Sequence, residues 1–319
     1  MRPRGSTSGR LGRRLVRATT RILAVIGLIA LSGITVQASA EQSERARFPP
    51  PGHLVDIGRG EQIHIRSWGT AADSPTIVLD ASAAMPLSAW AWIGQGLAGL
   101  GHRVVAYDRP GMGWSRGPWA PRDSAHAVDA LAKTLEAAGM APPYVVVGHS
   151  YGGFSARVFA GTYRDDVAGL VLLDTTHPDG GGELGFATYY RIRAWQGHAG
   201  LFQLSPQSDS FWELPAEDRA AANAVSLWTS HLDTSAEELE AWPTSAAQVR
   251  AVGSYFGDLP LLVVSGVGSA AHIDLQRDLT RLSSARQFIQ INADHIGMLV
   301  SRTQSELVVQ AIEDFLATL

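Results

Sequence analysis

The 319-residue chain contains no cysteine. That excludes disulfide staples, a thiolate nucleophile and thiolate metal sites. Lysine is almost as scarce, since Lys133 is the sole one among 26 basic residues. We read this preference for arginine as a coding bias without functional weight. No pair of histidines shows the helical spacing and neighbouring acid of a hydrolytic zinc site, so neither a metal nor a cofactor is expected. There is no internal repeat, and a chain of this length can bury a core large enough to stand without covalent cross-links.

The first 40 residues lack any acid and carry seven arginines (Arg2, Arg4, Arg10, Arg13, Arg14, Arg17 and Arg21). An apolar run from Ile22 to Val36 follows, then Ala38-Ser-Ala40. This is the layout of a secretory signal with an A-x-A cleavage site, or of an uncleaved N-terminal anchor. Export is therefore expected, with membrane association possible through this segment. Loss of residues 1–40 would take the formal charge from −4 to −11. No basic patch would remain to neutralise phosphates, so nucleic acid is not an expected partner.

What is present is the string Val145-Val-Val-Gly-His-Ser-Tyr-Gly-Gly153, a β-branched run entering Gly-x-Ser-x-Gly. Such a chain leaves a buried strand, turns sharply and enters a helix, with Ser150 at the strained apex as a candidate nucleophile. Gly148 and Gly152 lack a Cβ and let strand and helix approach around it. A second match to the pattern, Gly113-Trp-Ser115-Arg-Gly117, is read as a loop, because Pro118 and Pro121 stand where a helix would be needed.

A serine hydroxyl needs a base, and the base an orienting acid. His295, in Asn292-Ala-Asp-His295-Ile-Gly297 just past the last expected strand, fits the base. His149 adjoins the serine but points elsewhere, as neighbours in a tight turn diverge, and is taken as a packed support. Asp174, closing Gly169-Leu-Val-Leu-Leu173, is favoured for the acid over Asp274, with Asp179 behind both. An oxyanion would be met by the N–H of Tyr151, directly after the serine, and by that of Ser82 or its neighbour Ala81 after the strand Thr76 to Leu79.

The remaining pattern alternates strand and helix. Gly52 to Ile57 and Gln62 to Trp68 read as a hairpin. Thr76 to Leu79, Arg103 to Tyr107, Tyr144 to Val147 and Gly169 to Leu173 read as buried parallel strands. Ser124 to Ala138, stopped by Gly139, and Phe154 to Tyr163 read as helices. Leu261 to Ser265 and Arg286 to Ile291 resume the sheet, and an amphipathic helix with Leu307, Val308, Ile312 and Phe315 closes it. This predicts an α/β fold with a mostly parallel sheet covered on both faces. Between about His177 and Leu259 no strand appears. Helices carrying Trp195, Trp212, Trp228 and Trp242 follow one another there, one opening with a capping-box spelling at Ser235-Ala-Glu-Glu238. The expected organisation is an export segment (1–40), a linker (41–51), a core (52–176 and 258–319) and a helical cap over the site (177–257).

Together with Tyr107-Asp-Arg-Pro-Gly-Met-Gly-Trp-Ser115 and Phe159-Ala-Gly-Thr-Tyr163, these residues resemble the α/β-hydrolase superfamily over roughly residues 52–319. The likeness is greatest to exported or membrane-anchored bacterial members with a helical cap. The resemblance implies an eight-stranded, mostly parallel sheet and hydrolysis through an acyl-enzyme. Two departures stand out. Asp80-Ala81-Ser82 replaces the His-Gly common in the oxyanion loop, and no acid follows the seventh strand, which leaves Asp174 to serve.

The expected activity is therefore that of a serine esterase on a small-molecule ester. An amidase or proline-iminopeptidase-like hydrolase is the alternative. A non-catalytic ligand receptor on the same fold is a further one, since fold does not determine function.

Overall fold

The computed structural model describes residues 7–70, 75–118, 120–180, 183–204, 209 and 211–319. The chain divides into two compact units, Met1–Arg47 with Trp195–Gln207, and Phe48–Ala194 with Ser208–Leu319.

In the first unit a single helix, α1 (Thr7–Arg47), carries the basic and apolar run. Residues 41–47, the first part of the expected linker 41–51, continue this helix. Arg45 and Glu41 pair one turn apart along it. Gly33 lies against the backbone of Ala199, where any Cβ would come within 2.2 Å of the Ala199 carbonyl oxygen. Ile22, Leu23, Val25, Leu28, Leu31 and Ile34 are exposed. Among the described residues, no helix is long and apolar enough to cross a membrane. Arg2 and Arg4 of the basic segment lie outside the described residues.

The second unit is an α/β fold. Its strands are β1 (His53–Gly58), β2 (Glu61–Trp68), β3 (Thr76–Asp80), β4 (Val104–Tyr107), β5 (Tyr144–His149), β6 (Val167–Leu173), β7 (Leu261–Ser265) and β8 (Arg286–Gln290). They form one eight-stranded sheet in the order β1-β2-β4-β3-β5-β6-β7-β8. The β1–β2 hairpin and the β2–β4 pair are antiparallel. All other pairs are parallel.

Strand composition explains the burial. In the five central strands, β3 to β7, every residue except Ala168 is buried, as runs rich in valine, isoleucine and leucine require when both faces are covered. The period of two sorts them into two layers. Val78, Val146, Leu170, Leu172 and Val263 pack with Val128, Leu131 and Leu135 of α3 (Ser124–Ala137) and with Phe154 and Phe159 of α4 (Gly152–Thr162). Ile77, Val145, Val147, Val171 and Val264 pack against Ile93 and Leu97 of α2 (Ala91–Gly99) on the other face. Val308, Ile312 and Phe315 of the closing helix join that second layer.

Between β6 and β7 the chain is helical, with α5 (Glu183–His198), α6 (Ala216–Val225), α7 (Thr229–Glu240) and α8 (Trp242–Ala251). Helix α9 (Ala270–Asp278) then follows β7, α10 (Gly297–Val300) follows β8, and α11 (Arg302–Leu316) closes the chain. The capping box expected at Ser235 is absent. α7 begins six residues earlier, and Ser235 sits inside it with its hydroxyl donating back to the His231 carbonyl at 2.6 Å. That is the other use to which a helical serine is put.

The crossover from β3 runs to β4 on one side, whereas the crossover from its other neighbour, β5, runs to β6 on the opposite side. That is a topological switch point, where an open α/β sheet receives its ligands at the carboxyl ends of the strands. Leu79, fully buried on β3 beside this point, tests the core. Leu79→Ala should cost about 2–5 kcal/mol in urea unfolding. An unchanged midpoint would mean that the layer is not close-packed.

Candidate active site

Ser150 begins where β5 ends. Its φ is +53°, in the left-handed region that non-glycine residues rarely adopt, at a cost of order 1–3 kcal/mol. The turn is held by close approach of backbone to backbone. A Cβ on Gly148 would lie 2.6 Å from the Gly152 carbonyl, and one on Gly152 would lie 2.4 Å from the Asp80 carbonyl. Two further hydrogen bonds fasten the apex to the neighbouring strand end, Ser150 N–H to Leu173 O at 3.2 Å and Thr176 N–H to Ser150 O at 3.0 Å.

Asp174 repeats this conformation one strand over, with φ +43° and its N–H donating to Val264 O at 2.7 Å. The loop after β8 brings the histidine across. The Ser150 hydroxyl lies 3.0 Å from His295 Nε2, and His295 Nδ1 lies 2.7 Å from Asp174 Oδ2. An ionised carboxylate only accepts, so Nδ1 carries the proton and Nε2 is left as acceptor for the serine hydroxyl. The structure thus brings together Ser150, His295 and Asp174.

Electrostatics keep that proton order. Burial opposes ionisation of Asp174, but hydrogen bonds from His295, from His272 and from the Gly266 N–H outweigh it and hold the carboxyl below the usual carboxylate range. The other two acids are elsewhere. Asp274 is exposed on α9 near Arg277, and Asp179 is exposed and paired with Arg250 at 2.7 Å.

His149 does turn away from the serine. Its buried ring donates from Nε2 to the His295 carbonyl at 2.8 Å and lies 4.7 Å from the His295 ring, so it holds the backbone of the histidine loop. Ser115 of the second pattern is structural as well. Its hydroxyl donates to Asp108 O at 2.6 Å and accepts from His64 N–H at 2.9 Å.

Ser82 and Tyr151 line the same cavity as Ser150 and His295, of about 420 Å³. A buried cation lies beneath the glycine-free turn Asp80-Ala81-Ser82. Arg109 donates to the carbonyls of Ala81 at 2.7 Å and Ser82 at 2.9 Å. It also pairs with Asp80 at 2.5 Å, and it bonds both carboxylate oxygens of Glu238 on α7. The Tyr107 hydroxyl donates to Asp80 at 2.8 Å. Arg109 was readable only as part of a turn motif, since its partners lie up to 129 residues away.

Besides the loops around Ser82, Ser150 and His295, the cavity walls come from α5, α7 and residues flanking α6, and no tryptophan lines them. Phe186, Tyr189, Tyr190 and Arg193 line it from α5, with Phe211 and Leu232. Trp195 and Trp212 are exposed, Trp228 is buried against Trp114, and Trp242 packs on Tyr151 and Phe154. The overlooked signal was the spacing of Phe186, Tyr189, Tyr190 and Arg193, which puts all four on one helical face.

The family model described as alpha/beta hydrolase fold matches residues 81–266. A bifunctional esterase/perhydrolase of Acinetobacter calcoaceticus is 37% identical over 122 residues, which is 37% of this chain and 43% of that protein. The chain spans less than half the length of the curated relatives it matches. Among solved structures, an enol-lactonase from Burkholderia xenovorans superposes with TM-score 0.63 at 22% identity, covering 82% of this chain and 99% of that one. A thermophilic esterase from Thermogutta terrifontis superposes with TM-score 0.63 at 22% identity, covering 83% and 98%. At that identity these two show the fold alone.

His149 makes acid stability testable. Burial, and then the nearby His295, push its pKa from 6.5 down to about 3. The unfolded ring takes up a proton below pH 6.5 while the folded one resists until about 3. The stability it contributes is therefore intact above pH 6.5 and lost as the pH falls through that window. Unfolding free energy measured in urea from pH 7 to 4 should decline less steeply in His149→Gln, by up to about 1.4 kcal/mol per pH unit. Equal slopes would mean that the buried ring is protonated in the fold.

Proposed function

The chain belongs to the α/β-hydrolase family, and from that premise we propose that it is a serine hydrolase acting on carboxylic esters through an acyl-enzyme. The observation that carries the reading is the continuous hydrogen-bond path from the Ser150 hydroxyl through His295 to the buried Asp174 carboxylate, opening into the 420 Å³ cavity.

In this mechanism the Ser150 oxygen attacks the acyl carbon as its proton passes to His295 Nε2. The carbonyl oxygen becomes an oxyanion met by the N–H groups of Tyr151 and Ser82. Collapse expels the alcohol, which takes the proton from His295. Water then attacks the acyl-serine, giving its proton to His295 and releasing the acid as Ser150 is restored. Asp174 stays ionised throughout, keeping the His295 tautomer and stabilising the imidazolium. A serine at the elbow argues against dehalogenase or epoxide hydrolase chemistry, which begins from a carboxylate there.

Three observations favour an ester with an apolar portion. The walls given by Phe186, Tyr189, Tyr190, Phe211 and Leu232 are largely aromatic or aliphatic. The Acinetobacter relative is named an esterase. Residues of α5 and α7 line the cavity, from where they would select the substrate. We further assign residues 1–40 to export, on the arginine-rich start, the apolar run and Ala38-Ser-Ala40.

p-Nitrophenyl esters of graded chain length and a fluorophosphonate probe test the reading. Wild-type turnover and labelling should both vanish in Ser150→Ala, and Asp174→Asn should lower kcat by about 10⁴. A folded wild-type protein with neither turnover nor labelling would overturn it in favour of a ligand receptor. Faster cleavage of p-nitroanilides than of the esters would move the substrate to amides.

Export has its own readout. Expressed in a bacterial host, the full chain should yield an extracytoplasmic protein whose N-terminal sequence begins at Glu41. Retention of the whole chain in the cytoplasm would refute the assignment.

A further inference from the structure

Asp174 serves two histidines. Its Oδ2 faces His295 Nδ1, while its Oδ1 lies 2.7 Å from His272 Nε2 and 3.0 Å from the Gly266 N–H. All three groups are donors when the carboxylate is ionised, so both imidazoles point a proton at one carboxylate. His272 sits in the first turn of α9, and the route from β7 to that turn is built around it. Its N–H donates to the Ser269 hydroxyl that caps the helix, at 3.2 Å. Its ring lies over Gly268, where a Cβ would come within 2.7 Å of it. Gly268 therefore leaves the room that the ring occupies.

The placement has a chemical consequence. No acid stands directly after β7, and the segment there delivers two donors to an acid on the neighbouring strand. A carboxylate held by one hydrogen bond can turn about its Cβ–Cγ bond and lose its partner. With Oδ1 fixed by a ring N–H and a backbone N–H, Oδ2 is left with a single orientation, towards His295. The Asp174 side chain is buried, whereas one third of the His272 side chain is exposed, so His272 reaches the acid from its solvent side and shields it from water.

We propose that His272 is a positioning residue of the hydrolytic site. It acts through Asp174 by fixing the carboxylate plane that orients His295. The proposal rests on the serine-hydrolase reading, and it assigns His272 no contact with substrate.

The test compares wild type with His272→Ala, His272→Gln and Asp174→Ala, and with the double variant of His272→Ala and Asp174→Ala. The readouts are kcat and KM on a p-nitrophenyl ester and the rate of fluorophosphonate labelling. His272→Ala should lower kcat and the labelling rate together, by about 10- to 100-fold, the usual weight of a hydrogen bond to a buried charge. KM should stay within about twofold, since only positioning is lost. His272→Gln restores a neutral N–H donor at the same reach and should recover most of kcat. On the Asp174→Ala background, His272→Ala should cost nothing further.

Equal kcat in wild type and His272→Ala would overturn the proposal and leave the hydrolase reading intact. So would a loss that Gln does not recover, or one that persists undiminished on the Asp174→Ala background. If His272→Ala does not fold, the Gln variant decides, because a loss of kcat there as large as that of Asp174→Ala overturns the proposal. Absence of turnover and labelling in the wild type itself would overturn both readings.

Discussion

The arrangement of the site depends on hydrogen bonds that continue the sheet past the ends of its strands. Ser150 N–H to Leu173 O, Thr176 N–H to Ser150 O and Asp174 N–H to Val264 O tie three adjacent chain ends together just where each leaves the sheet. To make them, Ser150 and Asp174 both adopt positive φ. The strain is local, and the five buried central strands hold it in place. It aims two side chains from neighbouring strands towards the same edge, and the β8 loop then has only to supply a ring between them. Rigid strand ends, rather than mobile loops, define the distance from hydroxyl to carboxylate.

The histidine in the middle is the least constrained member, and two other histidines limit its freedom from opposite directions. His149 holds the His295 main chain through its carbonyl, and His272 holds the carboxylate to which His295 bonds. The environments differ accordingly. His149 is fully buried and held neutral by desolvation, with a pKa near 3, so it can support the loop without adding a charge beside His295. His272 reaches solvent and lies against an anion. One residue type thus serves as a neutral strut on one side and as a donor to a charge on the other, and burial decides which.

How much of this was readable follows from sequence separation. The strands announce themselves through β-branched runs, and their bounds fall within two residues of expectation because a doubly covered strand tolerates almost nothing else. The elbow is equally local, since Gly148, Ser150 and Gly152 act within five residues. Asp174 and His295 could be singled out because each follows a strand at the carboxyl edge where Ser150 stands. The cavity walls could not, for they depend on how α5 to α7 cross. The tryptophans of this segment lie in the core or at the surface, while an aromatic face of α5 lines the pocket. Ser235 misled for a related reason, because a capping residue and an i−4 back-bonding residue share one spelling.

The turn after β3 is where tertiary structure changes the meaning of the sequence most. Asp80-Ala-Ser82 reads as a turn without glycine until Arg109 is placed beneath it. One guanidinium then binds the Ala81 and Ser82 carbonyls, Asp80 and Glu238. Burial pushes both carboxyls upward, and Arg109 is the largest of the groups that draw them back. Such a buried cluster is weak grounds for stability, since desolvation consumes most of the attraction. It does dictate geometry, because any other seating of the loop would strand a charge. Because Glu238 belongs to α7, the bonds that support the loop beside Ser150 also help to hold that helix against the core.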